Sequence, residues 1–195
     1  DLHAAGKLSV IPAIGYADAN QSHFTSRHFW EVGALDPTGR VGWLGRYLDQ
    51  HGAPDNPLQG LSLDYTLAPS LATSGVPVAA VAEPENYSLW ARDVWSSAMF
   101  DEVVARWGGQ GTVPTADPEL ATARGAAGMS TMLRTQLAGM QDHTGAWQNA
   151  VPYPAGNNPF PRRLASLAEM IARGLPLRVV ALDANGGYDT HENQA

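Results

Sequence analysis

The chain has 195 residues, 44% hydrophobic and 16% charged, which is typical of one globular domain and excludes a disordered chain. It contains no cysteine, which excludes disulfides, thiolate catalysis and cysteine-ligated zinc. The formal net charge of -7 and the lack of basic runs disfavour nucleic-acid binding, and no apolar run approaches the roughly 18 residues of a membrane span.

The first half of the chain is predicted to combine strands and helices. Residues 7–14 (Lys-Leu-Ser-Val-Ile-Pro-Ala-Ile) predict a strand, in which Pro12 indicates an edge position or a bulge. Apolar residues at helical spacing predict helices at 22–32 and 42–50. Two further short strands are predicted, at 61–65 and 76–82.

The second half is predicted to be mainly helical. The predicted helices are 94–107, a long helix that begins at Asp117-Pro118, and 162–173, which Gly174 closes. The last of these has Leu164, Leu167, Ala168 and Ile171 as its apolar stripe. A buried strand is predicted at 177–182.

Strands separated by helices predict a single α/β domain over 1–195, with a mostly parallel sheet flanked by helices. Because residues 84–161 are almost entirely helix and loop, they are predicted to form a cap or insertion on a small sheet.

The last predicted strand leads directly into a loop of polar residues. In open α/β sheets, ligands collect beyond the carboxyl ends of strands. Asp189 and His191, two positions apart, offer the oxygen and nitrogen donors that a divalent metal needs. Asp183 and Thr190 are expected to support these ligands without touching the metal, and Asp183 alternatively caps the strand end. The other interpretation of the whole loop is that its Asp and Asn residues cap turns.

Ser22 and His23 are the second candidate pair. If strands 7–14 and 177–182 are parallel neighbours, Ser22 and Asp189 lie at the same end of the sheet. A serine at a helix start sits where backbone N–H groups favour a bound anion, and a metal or nearby base could activate its hydroxyl as a nucleophile. The alternative is an N-cap serine beside a surface histidine.

Three motifs together resemble one bacterial family. Ser22-His23-Phe24, residues 42–48 (Gly-Trp-Leu-Gly-Arg-Tyr-Leu) and residues 187–194 (Gly-Tyr-Asp-Thr-His-Glu-Asn-Gln) are similar to the family called domain of unknown function 1501. That family is similar in fold to the alkaline phosphatase and sulfatase superfamily. The resemblance implies a metal-dependent site in which Asp189 and His191 bind the metal and Ser22 stands near the nucleophile position.

The resemblance also bears on location and completeness. Members often carry twin-arginine export signals, which implies a periplasmic or extracellular protein. They often have Arg where this chain has Gln21, which removes an anion anchor. They usually extend further at both ends, so the chain is expected to be the middle of a longer protein, inactive by itself. Sheet edges exposed in such a piece are expected to pair with the missing segments or with a second copy.

Two functions are therefore expected. The first is an exported hydrolase of small phosphate or sulfate esters that uses Zn, Mn, Mg or Ca. The second is a non-catalytic, degenerate relative that serves as a binding or assembly component at the cell surface.

Overall fold

The computed structural model describes residues 2–12, 14–88, 96–141 and 148–184. Within these ranges, three short strands form one parallel sheet in the order β2-β1-β3. The strands are β1 (Gly60–Ser62), β2 (Ala79–Ala80) and β3 (Val179–Ala181). The predicted α/β class with a parallel sheet is confirmed.

Strand β1 is the centre of this sheet. Leu61 pairs with Ala79 on one side and with Val180 on the other, and its side chain is fully buried. Beyond β1, the Leu63 amide still donates to Ala181 O at 3.0 Å, after which the chain turns away at Asp64. Each strand overlaps its predicted range but is shorter, and β1 begins one residue before the predicted start, at Gly60. Because they are parallel, their carboxyl ends meet at one edge of the sheet.

The strand predicted at 7–14 is wrong for the residues that the structure describes. After a turn closed by hydrogen bonds from Gly6 and Lys7, this segment runs as irregular chain and joins no described ladder. Val10 and Ile11 are 73% and 71% exposed. The strand preference of β-branched residues comes mainly from packing against a neighbouring strand, and here that packing is missing.

Five α-helices lie within the described ranges, and four have a side-chain N-cap. Ser22, Ser96, Asp117 and Asn158 each accept a hydrogen bond from an amide in the first turn, as their residue types favour. Asp117 followed by Pro118 confirms the predicted helix start. The helix predicted from residue 94 has its first two positions outside the described residues. The helices are α1 (His23–Val32), α2 (Trp43–His51), α3 (Ser97–Gly109), α4 (Pro118–Leu137) and α5 (Pro159–Ala172).

The core lies against β1. The end of α4 contributes Leu133 and Leu137, and the following turn contributes Met140, to the same cluster as Leu61 and Leu63. The helix-rich stretch between residues 84 and 161 therefore packs on the sheet through α4. Its assignment as an insertion stays a prediction.

Helix α5 buries a different face from the predicted one. Ile171 is 64% exposed, whereas Arg163, Ser166 and Met170 are buried. Leu167 is the predicted stripe residue that packs against the core cluster. Positions 163, 166 and 170 also repeat at helical spacing, but a pattern search passes over them because two of the three are polar.

Among the described helices, none is both long enough and apolar enough to cross a membrane.

Candidate active site at the carboxyl edge of the sheet

A cleft of about 360 Å³ opens where β1 and β3 end. We call it the edge cleft. Helix α1 and a 3₁₀ turn at Pro69–Leu71 form its other walls. The charged and hydroxyl side chains that line it are Arg27, Glu31, Ser62, Asp64, Thr66, Ser70 and Asp183.

Two aspartates occupy equivalent positions at this edge. Ser62 pairs with Ala181 across the β1–β3 ladder, and Asp64 and Asp183 each follow that pair by two residues. Both line the edge cleft. The parallel register thus places two carboxylates on neighbouring strand ends, where ligands collect in open α/β sheets.

Arg27 brings a guanidinium group from α1 to this cleft. It donates to Glu31 Oε1 at 2.7 Å, one helical turn away, and its side chain stays 73% exposed. The hydrogen bond and charge of Glu31 raise the pKa of Arg27 against an opposing effect of burial, and the charge of Asp183 adds a smaller upward contribution. Helix α1 therefore lies close enough to the end of β3 for Arg27 and Asp183 to interact.

Asp64 is held by a second guanidinium group, from α5. Arg163 Nη2 lies 3.0 Å from Asp64 Oδ1 and Nη1 lies 3.4 Å from Oδ2, which is the two-pronged geometry that arginine favours with carboxylates. The Tyr65 amide also donates to Oδ1 at 2.7 Å. Asp64 is consequently fixed in place at the mouth of the cleft.

The described charges at the edge cleft do not balance. Among the described residues that line it, Arg27 is the one guanidinium group beside three carboxylates, those of Glu31, Asp64 and Asp183, and Arg163 reaches Asp64 from α5. Arg27 is paired with Glu31, and Arg163 is paired with Asp64. An anion alone is therefore poorly favoured in this cleft, and a cation bound there would change the balance.

The residue 42–48 motif holds two walls of the cleft in place. A Cβ atom on Gly45 would lie 1.8 Å from Ala72 O, and one on Gly42 would lie 2.1 Å from Ser70 O. Only glycine at these positions lets α2 pack directly against the backbone of 69–72, which includes the 3₁₀ turn at the cleft.

Arg46, from the same motif, secures the end of α1. Its Nη1 donates to Val32 O at 2.7 Å and to Val41 O at 3.2 Å. The α1 helix then ends at Gly33, whose φ of 62° is in the left-handed region that glycine adopts readily. Through this contact α2 fixes the position of α1, and with it the position of Arg27.

Ser22 and His23 are not among the residues that line the edge cleft. Ser22 is exposed, and its Oγ accepts from the Thr25 amide at 3.4 Å while its amide donates to Asn20 Oδ1 at 2.7 Å. His23 is the first residue of α1 and is also exposed. In this geometry Ser22 acts as the helix N-cap. Its assignment near a nucleophile position stays a prediction.

Of the residues predicted around the metal, Asp183 is the one that the structure describes, and it lies in the edge cleft. Asp189, Thr190 and His191 lie outside the described residues. Within the described ranges, no three His, Asp or Glu side chains are grouped so that they could hold a metal ion. The described residues alone therefore do not fit a complete metal site.

Sequence reasoning missed Arg27, Glu31 and Asp64. For Asp64 a signal was present, because Leu-Ser-Leu-Asp at 61–64 has the same form as Val-Ala-Leu-Asp at 180–183. The argument that selected Asp183 at the end of a strand applies equally to Asp64. Arg27 and Glu31 carry no such signal, since an arginine and a glutamate four residues apart are common on helix surfaces.

Comparison of the chain with protein-family models, with curated proteins and with solved structures gives no match. The class is therefore defined by the fold and the cleft: an α/β protein with a polar cleft at the carboxyl edge of a parallel sheet.

Proposed function

We propose that the protein is an exported, metal-dependent hydrolase of small phosphate or sulfate esters, and that the edge cleft binds the anionic group of the ester. The observation that carries this proposal is that Arg27 and Asp183 line one cleft at the carboxyl ends of the strands. A cationic fork and an acidic oxygen at one cleft are suited to bind an ester anion and a metal ion side by side.

Arg27 is the proposed anchor for the anion. A guanidinium group donates two parallel hydrogen bonds to phosphate or sulfate oxygens, and Arg27 is exposed enough to reach a ligand. Its present partner, Glu31, holds it at the cleft in the absence of substrate. Arg27 would thus bind the anion in place of the arginine that members of the similar family often have at the position of Gln21.

The charge balance of the cleft supports the proposed metal ion. Because carboxylates outnumber guanidinium groups among the described residues of the cleft, an anionic substrate needs additional positive charge. We propose Asp189 and His191 as its ligands, with Asp183 in the cleft as the residue that supports them. Zn, Mn, Mg and Ca all remain candidates. Bound there, the ion would supply positive charge and polarise the ester oxygen.

A panel of aryl phosphates and aryl sulfates, assayed on the full-length protein with each of the four metals, tests the proposal. We expect turnover with at least one metal, and a loss of about 10- to 100-fold in Arg27→Ala, as removal of one charge-assisted hydrogen-bonding group implies. Arg106→Ala is the matched control, because Arg106 forms a similar exposed pair with Glu102 one turn away on α3. Equal activity of Arg27→Ala and wild type would contradict the assignment of the edge cleft.

The non-catalytic alternative is favoured by the state of two serine hydroxyls. Ser22 Oγ caps a helix, and Ser62 Oγ donates to Thr66 O at 2.9 Å and accepts from the Ala68 amide at 3.2 Å. Both are already used in holding the backbone. Binding of inorganic phosphate without turnover of any ester, under all four metals, would establish the binding-only function.

A further inference from the structure

A second cleft, of about 320 Å³, opens on the opposite side of Asp64, where β1 and β2 end. We call it the tyrosine cleft, after Tyr65 and Tyr87. Its size is at the lower end of the range of about 300–1,000 Å³ that small-molecule sites occupy. The residues that define it are Asp64, Tyr65, Val81, Glu83, Asn86 and Tyr87.

The tyrosine cleft offers aromatic and apolar surface. Val81 lines the cleft but presents little surface at 4% exposure, whereas Tyr87 is partly buried and packs against the hydrophobic core. Tyr65 follows Asp64 directly in the chain, and its side chain is 78% exposed. Burial raises the pKa of Tyr87, so its phenol stays neutral well above physiological pH. Two aromatic rings beside an apolar side chain are suited to bind a flat, uncharged group.

Both acidic residues of this cleft are already paired, Asp64 with Arg163 and Glu83 with Arg162. Glu83 Oε1 accepts from Arg162 Nη2 at 2.8 Å, and Oε2 accepts from Asn86 Nδ2 at 3.2 Å. The carboxylate therefore presents little uncompensated charge to a ligand. In contrast to the edge cleft, the tyrosine cleft is suited to the organic part of a molecule rather than to its anionic part.

The two clefts share Asp64 as a common wall. Since Arg163 fixes both carboxylate oxygens of Asp64 from α5, the separation between the clefts is fixed as well. A ligand that extends past Asp64 would therefore place its anionic group in one cleft and a ring in the other.

We propose that the tyrosine cleft binds the aromatic alcohol portion of the ester whose anionic group occupies the edge cleft. The preferred substrates are then aryl rather than short alkyl esters. This inference rests on the proposed function of the edge cleft and adds the substrate class to it.

Calorimetric titration of the full-length protein with inorganic phosphate, methyl phosphate and phenyl phosphate, with each of the four metals present in turn, tests this inference. We expect phenyl phosphate to bind about 3- to 10-fold more tightly than methyl phosphate, the gain that one aromatic pair supplies. Tyr65→Ala should remove this difference, while Tyr65→Phe should retain it. Tyr47→Ala is the control, because Tyr47 is an exposed tyrosine on α2 that lines neither cleft.

The outcomes separate the two proposals. Equal affinities for methyl and phenyl phosphate, with phosphate itself still bound, would overturn the tyrosine cleft and leave the edge cleft standing. A preference for phenyl phosphate that survives Tyr65→Ala would also overturn it. If none of the three compounds binds, the proposed function of the edge cleft fails and this inference fails with it.

Discussion

Arg163 and Asp64 form an ion pair whose two members differ in their access to water. Arg163 Nη2 lies 3.0 Å from Asp64 Oδ1, yet the Arg163 side chain is 6% exposed and that of Asp64 is 29% exposed. A buried ion pair is costly to desolvate and is weak evidence for stability. We therefore infer that the role of this ion pair is to hold Asp64 in position between the two clefts.

The unequal burial predicts unequal effects of mutation. Asp64→Ala leaves the buried guanidinium of Arg163 without its partner, and we expect a loss of about 3–5 kcal/mol in unfolding free energy. Arg163→Met should cost less, because Asp64 can turn toward water. Urea denaturation of both single variants and the double variant measures this difference. A larger loss for Arg163→Met than for Asp64→Ala would contradict the assigned geometry.

Gly45→Ala tests the close approach of α2 to the backbone of 69–72. The added Cβ would lie 1.8 Å from Ala72 O, so α2 must move away, and we expect a loss of several kcal/mol, above the usual range of about 0.5–3 kcal/mol for point mutations. Gly125→Ala is the matched control. Gly125 is within α4 and has open space around it, so alanine there should stabilise by up to about 1 kcal/mol. Thermal unfolding that ranks the two variants equally would refute the contact.

Asp49 gives the protein a predictable response to acid. Burial raises the pKa of Asp49, but hydrogen bonds from the Ser74 amide and hydroxyl and from the Gly75 and Val76 amides outweigh it, so the net shift is downward. A carboxyl whose pKa is lower in the folded state stabilises that state above its unfolded pKa of about 3.9. This contribution is lost as the pH falls from about 4 through the folded pKa.

The Asp49→Asn variant isolates this effect. It should lose roughly 1–3 kcal/mol at pH 7, because an amide cannot accept all four hydrogen bonds. The variant should also show a weaker dependence of stability on pH below about 4 than wild type. Asp55→Asn, at an exposed loop position, is the control. Parallel stability curves for Asp49→Asn and wild type across this pH range would rule out the linkage.

Two adjacent residues on α5 test which face of that helix is buried. Met170 is fully buried in the core, whereas Ile171 is 64% exposed. We expect Met170→Ala to cost about 2–5 kcal/mol and Ile171→Ala to cost less than about 0.5 kcal/mol. Guanidinium denaturation distinguishes them. A large loss of stability in Ile171→Ala would contradict this assignment and would favour the apolar stripe predicted from the sequence as the buried face.

Local signals predict the helices well because the signals are themselves local. Asp117 followed by Pro118 specifies a helix start, and Gly174, with a φ of 70°, follows the end of α5. Non-local contacts decided the features that were missed. Residues 7–14 have strand-forming side chains but no described partner strand. The buried Arg163 pairs with Asp64, which lies 99 positions earlier in the chain. No short sequence window contains that information.

The location of the cleft at the carboxyl edge of the sheet was predictable from the sequence, whereas most of the charged residues that line it were not. Asp183 was found because it follows an apolar strand directly, but Arg27 enters the cleft through the packing of α1. That packing depends on Arg46, on α2 and on two glycines, and hence on the tertiary arrangement rather than on the pattern around Arg27.

The pairing of β1 with β3 has a kinetic consequence. Near that ladder, Asn56 Nδ2 donates to Pro176 O across 120 positions of the chain. Closing so long a loop costs conformational entropy before the stabilising contacts between the strands can form. The parallel pairing should therefore form late in folding. Helical circular dichroism should therefore recover in stopped-flow refolding well before the two aspartates regain their common edge, and ligand binding should return with the slower phase.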